Sequence, residues 1–259
     1  MLESKPSRFE EFATAAKTYT HMSDQVQKAK GVVDLVFLID ATGSMQPCID
    51  ALKNNISTFI DSLTTRGPNN ENPVKHWRAK AVGYRDFKCD SIPFVDNPFV
   101  EDAGQLKAQL AKLEATGGGD EPESLLDALY KVSTMAQMPK GATSLEPNMW
   151  RYRSEAARVV VAFTDASYHE VMEQPKGATL TDLINMLHSN RIILNLFAPE
   201  MPCHDALCAA DKSDYQAISL AGKSAAEALQ EFTSNQANFR KTMEALAKSV
   251  SQSALTPEL

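Results

Sequence analysis

Apolar positions along the chain follow two rhythms. The first is the short unbroken run. Leu35 to Ile39 is continuously apolar and stops at Asp40. Arg158 to Phe163 repeats this pattern and stops at Thr164-Asp165. Trp77 to Tyr84, broken by Arg78 and Lys80, and Ile192 to Phe197, broken by Asn195, are further largely apolar stretches of strand length. Runs of this kind suit strands buried on both faces, as in a parallel sheet. The expected core strands are therefore 33–40, 77–84, 158–163 and 192–197. A fifth, in 92–100, is interrupted by Pro93 and Pro98, which places it at a sheet edge.

The second rhythm is the helical stripe. Ile49, Leu52, Ile56, Phe59, Ile60 and Leu63 predict a helix over 47–65, with Pro47 near its start. Leu106, Leu110 and Leu113 mark a short helix. Pro122 is expected to open a helix over 122–136, and further helices are expected over 179–189 and around Phe239, Met243, Leu246 and Val250. Phe9, Phe12, Ala16, Tyr19 and Val26 predict an amphipathic helix over 7–29. Residues 66–73, 137–155 and 199–213 read as loops. Strands alternating with helices predict an α/β fold, an open and mostly parallel sheet covered on both faces. The expected organisation is an N-terminal helical extension over 1–30, one domain over 31–254 and a tail over 255–259.

Composition narrows the function. The chain has 259 residues, 43% of them hydrophobic, and a net charge of −7. The negative charge argues against a nucleic-acid backbone as partner. No apolar run reaches the length of a membrane span, and the polar stretch Met1 to Arg8 lacks the apolar core of a secretion signal. Four scattered cysteines fit a reducing compartment. The expected location is the cytoplasm.

The candidate chemistry sits where the apolar runs stop. Ligands bind open α/β sheets outside the C-terminal ends of the strands. Asp40, Thr42 and Ser44 leave the first strand together, and a turn there can aim all three at one point. A carboxylate with two hydroxyls is an all-oxygen set suited to Mg²⁺, Mn²⁺ or Ca²⁺. It is also a set that could simply cap the next helix and shape the turn. Asp120 and Asp165 also fall at the ends of core elements. Three carboxylates ~5 Å apart would repel by roughly 3 kcal/mol per pair at an effective dielectric of about 20. A bound dication would reverse that sign.

These residues carry a resemblance. Asp40-Ala-Thr42-Gly-Ser44 resembles the Asp-x-Ser/Thr-x-Ser signature of von Willebrand factor type A domains, which begins their metal-ion-dependent adhesion site. Asp165, in Ala-Phe-Thr-Asp-Ala, resembles the aspartate after the fourth strand that completes it. The likeness runs from about residue 33 to 250. It implies a doubly wound sheet with one antiparallel edge strand, in agreement with the proline-broken segment. Tyr84-Arg85-Asp86, Gly117 to Glu123 and Asp165 to His169 resemble a subgroup found in the von Willebrand-like segment of atypical alpha-kinases. Members of the family often offer a threonine from the central loop. Here Asp120 stands at the matching position, with Thr116 four residues upstream.

The resemblance implies a non-catalytic module that binds a partner protein through a divalent cation on Asp40, Thr42, Ser44, Asp120 and Asp165, in a scaffold or signalling role. With three aspartates the loaded site keeps a charge of −1 instead of zero, which predicts weaker preference for acidic ligands. Two other readings remain at this point. A haloacid-dehalogenase-type Mg²⁺ phosphotransferase also places an aspartate at the end of its first strand, but it needs a second aspartate where Thr42 stands. A scaffold with the same fold could use no metal at all. No nucleophile with a paired base is evident.

Other residues have plainer expectations. Asp86 could hold a metal-bound water, orient Arg85 or pair with a lysine. Glu123 reads as a first-turn carboxylate favoured by the helix dipole. His169 lies near the proposed rim. Cys203, His204 and Cys208 fall one ligand short of a zinc site. Cys48 and Cys89 read as small buried hydrophobes. Trp150 to Arg153 is either a recognition patch or a loop anchor. Gly117 to Gly119 lacks the lysine of a phosphate loop.

Overall fold

The computed structural model describes residues 31–65, 74–119 and 121–254. The expected N-terminal helix, the 255–259 tail and Asp120 lie outside the described residues. Six strands form the main sheet: β1 (Val32–Asp40), β2 (His76–Tyr84), β3 (Phe94–Asp96), β4 (Ala157–Phe163), β7 (Ile192–Pro199) and β8 (Ser213–Ile218), in the order β3-β2-β1-β4-β7-β8. All neighbours run parallel except β2 and β3. The antiparallel edge strand is therefore present, but it is short, and Val100 adds one isolated bridge to Ala79. A separate hairpin pairs β5 (Val171–Glu173) with β6 (Lys176–Thr179).

The helices cover both faces. They are α1 (Gln46–Thr64), α2 (Ala103–Leu110), α3 (Leu125–Ser133), α4 (Leu180–Ser189), α5 (Pro202–Leu207), α6 (Ala225–Ser234) and α7 (Gln236–Ser253). On one face Phe37 and Ile39 of β1 pack with the α1 stripe and with Phe239 and Met243 of α7. On the other, Val36 and Leu38 pack with Leu125, Leu129 and Val132 of α3 and Leu183 and Leu187 of α4. Successive strand residues face opposite sides, so a strand covered on both is apolar throughout. Val33 and Leu35 to Ile39 accordingly expose 0% of their surface.

Several expectations need correction. The helix expected over 122–136 begins only at Leu125, with Ser124 as its cap. Pro122 and Glu123 belong instead to the preceding loop, where Glu123 bridges Tyr168. The loop expected over 199–213 contains α5 and leads into β8. That strand has the polar sequence Ser-Asp-Tyr-Gln-Ala-Ile, at an edge where only one flank is paired. The hairpin β5–β6 is equally polar.

The 137–155 segment is irregular, as expected, but it is tightly held. Trp150 is fully buried and its indole donates to the Val132 carbonyl at 2.9 Å. Arg78 makes a two-pronged pair with buried Asp34, at 2.8 and 2.7 Å, and donates to the carbonyls of Glu146 and Met149. The Arg151 amide donates to the same Asp34 carboxylate at 2.7 Å. Trp150-Arg151 is thus a loop anchor.

Candidate metal centre

The parallel strands deliver their C-terminal ends to one edge, and the site is built there. Asp40 is the last residue of β1 and is fully buried. The chain then turns through Thr42 and a short 3-10 turn, Gly43–Met45, which carries Ser44 into α1. The Thr42 amide and hydroxyl both donate to Asp40 Oδ1, at 2.9 and 2.7 Å. Thr164, just past β4, donates to Asp40 Oδ2 at 2.9 Å. Asp165 follows, and the Ser44 hydroxyl reaches its carboxylate. The structure therefore brings Asp40, Thr42, Ser44 and Asp165 together.

Arg85 and the glycines fix the loops around them. Arg85 donates to the carbonyls of Ala41, Ile92 and Glu114, which ties the loops after β1, β2 and α2 to one guanidinium. It does not pair with Asp86, as one sequence reading had it. Thr116 is exposed, and its amide donates to the Ala41 carbonyl. Gly118 has φ +72, and a Cβ there would lie 2.9 Å from both Thr42 and Glu123 Oε1. Only glycine admits this backbone between the two side chains.

Glu123 is the residue that sequence reasoning missed. It precedes α3 and is 5% exposed, so it is not a solvated helix-dipole partner. Burial, followed by the charges of Asp40, Asp86, Asp90 and Asp165, pushes its carboxyl up to about 8. Burial also pushes Asp40 up to about 6, against the hydrogen bonds from Thr42 and Thr164. Asp165 is raised as well, again chiefly by burial. Glu123 Oε2, Asp165 Oδ2 and the Tyr84 hydroxyl are buried with no hydrogen-bond partner. Buried polar atoms are ordinarily paired, and orphans gathered at one place mark a missing ligand. An oxygen-rich, proton-hungry pocket of this kind fits a hard cation in chemical character. Among the described residues no three His, Cys, Asp or Glu side chains form a ready metal cage. The donor set instead mixes carboxylates with hydroxyls.

The remaining candidates separate cleanly. His169 Nε2 lies 3.4 Å from Asp86 Oδ1, which also accepts the Ser124 hydroxyl. The two ring nitrogens of His204 face the carbonyls of Pro199 and Ala166, at 2.9 and 3.2 Å, which leaves neither for zinc. Cys48 is buried as expected, but Cys89 is exposed. Among the described residues no helix is long and apolar enough to cross a membrane.

A doubly wound sheet with this loop set at its C-terminal edge defines the class, and residues 34–142 match the family model of the von Willebrand factor A domain. That segment is thus similar to von Willebrand factor A domains. The alpha-protein kinase vwkA of Dictyostelium discoideum is 24% identical over 175 residues, which is 64% of this chain and 25% of that protein. An ariadne-like RING finger protein of Acanthamoeba polyphaga mimivirus is 31% identical over 95 residues, 37% of this chain and 9% of its own length. This chain therefore spans only a small part of either relative. Proximal thread matrix protein 1 from the mussel byssus superposes with a TM-score of 0.50 at 13% identity, covering 83% of this chain and 47% of that one. At that identity the likeness shows the fold.

Proposed function

We propose that this domain is a protein-binding module whose contact with its partner runs through a divalent cation, Mg²⁺ or alternatively Mn²⁺ or Ca²⁺. Asp40, Thr42, Ser44 and Asp165 hold the cation, directly or through water. The central loop adds Asp120, as the sequence reading has it, and Glu123 stands as the buried carboxylate whose charge the cation balances. When bound, the cation supplies a coordination position for one oxygen of the partner. The chain's own residues orient that position and keep the ligand loops in register.

The observation that carries this reading is the gathering of raised carboxylates at Asp40, Glu123 and Asp165, the last two each with an unpaired buried oxygen. Such a cluster is unfavourable unless protons or a cation neutralise it. A cytoplasmic scaffold in a signalling pathway is the setting we favour. No group in the site stands as a nucleophile beside a base, so binding without turnover is the proposed chemistry. The test is affinity capture from cells with the wild type and Asp40→Ala, each in Mg²⁺ and in chelator. Partners recovered by the wild type in Mg²⁺ alone support the reading. An identical set recovered by Asp40→Ala and in chelator would establish a metal-free scaffold instead.

A further inference from the structure

We infer that Asp86 is the positioning residue that holds the loops of the metal site in register, and that it does so without touching the cation. This inference rests on the metal-site reading above and assigns that site its support. Asp86 follows β2 and is 3% exposed. Its Oδ1 accepts from the Lys88 amide at 2.8 Å and the Ser124 hydroxyl at 2.9 Å, and it faces His169 Nε2 at 3.4 Å. Its Oδ2 takes the Cys89 thiol at 3.4 Å. The hydrogen-bond donors come from two loops, and the His169 ring approaches from a third.

Each contact leads to a residue of the site. Ser124 adjoins Glu123, and its hydroxyl also accepts the Phe87 amide at 2.9 Å. His169 lies four positions beyond Asp165, and its own amide donates to the Glu123 carbonyl at 3.0 Å. The Glu123 amide returns a bond to the Ser167 carbonyl at 2.9 Å. Lys88 Nζ lies 3.0 Å from His169 Nδ1, which holds the ring with its Nε2 edge toward Asp86. The Asp86 amide and the Gly118 amide share the Asp90 carboxylate, at 3.1 and 3.3 Å, which draws in the glycine loop.

The division of labour follows from hydrogen bonding. Asp86 has its acceptor positions taken by protein donors, while Glu123 Oε2 and Asp165 Oδ2 have none. Asp40 also accepts donors, but from Thr42, itself one of the proposed ligands, and from Thr164 beside Asp165; the Asp86 donors all lie outside that ligand set, which makes Asp86 an anchor. Partners one step removed from a metal, when mutated, typically cost 10–100-fold in metal affinity.

The test compares Mg²⁺ affinity of the full chain by calorimetry in wild type, Asp86→Asn, Ser124→Ala and Gln109→Ala. Gln109 is a buried amide that bridges the Ala81 amide and the Pro98 carbonyl, so its loss destabilises the fold without disturbing these loops. All variants are titrated below their melting transitions. The inference expects Mg²⁺ binding weaker by about tenfold in Asp86→Asn and Ser124→Ala, the lower end of the range for direct partners of metal ligands, with Gln109→Ala close to wild type. If Asp86→Asn does not fold, Ser124→Ala carries the test alone. Wild-type affinity in Ser124→Ala, or an equal loss in Gln109→Ala, would overturn the inference while leaving the metal site standing. A wild type that binds no Mg²⁺ would overturn the metal site itself, and this inference with it.

Discussion

Without a cation, raising the pH should unfasten this domain from its own site. Asp40 titrates near 6 in the folded chain against an ordinary 3.8, and Glu123 near 8 against 4.5. In both cases the folded state holds the proton more tightly than the unfolded chain. The associated stability is complete below the unfolded values and is lost as pH rises to the folded ones. At 1.36 kcal/mol per unit, the shift at Asp40 corresponds to about 3 kcal/mol and that at Glu123 to about 5 kcal/mol. The Asp40 charge is one cause of the rise at Glu123, so Asp40 loses its proton first and Glu123 titrates above it, where a rise from pH 6.5 to pH 8 costs on the order of 2 kcal/mol. A domain of this size loses roughly 2–4 °C of melting temperature per kcal/mol, which makes the expected fall across that interval on the order of 4–8 °C. His204, held neutral chiefly by burial, works in the opposite direction below its ordinary value of 6.5. The diagnostic window is therefore about pH 6.5 to 8. The assay is thermal unfolding by circular dichroism in chelator across that window, repeated in saturating Mg²⁺ and with Glu123→Gln. Mg²⁺ should flatten the slope, and so should Glu123→Gln. A melting temperature that is constant or rises with pH in chelator, or a slope untouched by Glu123→Gln, would refute the reasoning.

Two further perturbations probe parts of the structure that the site depends on. Gly118→Ala should destabilise by about 1–3 kcal/mol, because φ is +72 and the new Cβ meets Thr42 and Glu123 at 2.9 Å; denaturant melts together with a weakened Mg²⁺ titration would check it, and a neutral effect on both would count against the tight loop. Arg78→Met should cost about 3 kcal/mol by removing the two-pronged partner of the buried Asp34 carboxylate, which keeps only the Arg151 amide and guanidinium. Because that pair lies at the opposite end of β1 from Asp40, Mg²⁺ affinity measured on the folded variant should not change.

Much of the site was legible because of how parallel sheets are covered. Strands β1 and β4 are buried on both faces, so each reads as an apolar run, and the first polar residue after it marks the functional edge. Asp40, Thr42, Ser44 and Asp165 were singled out in that way, and the structure brings them together. Glu123 was not, because its burial depends on three loops meeting, with Gly118 leaving room beside Thr42. No local rhythm records such a meeting. Strand β8 escaped for the opposite reason: an edge strand with exposed positions needs no apolar run. Helix α6 did carry a signal that went unused. Ser224 and Glu227 form a reciprocal capping box at its start. The anchored 137–155 segment has no periodicity to read, since Trp150, Arg78 and Arg158 hold it through carbonyl contacts instead of a repeating face.

The account turns on whether a cation binds at Asp40. The most direct measurement is a calorimetric titration of Mg²⁺, and then Mn²⁺, into chelator-stripped protein beside the Asp40→Ala variant. We expect about one ion per chain in the wild type, from the single donor set at the sheet's C-terminal edge, and none in the variant. Undiminished binding by Asp40→Ala, or no binding by the wild type, would contradict the account.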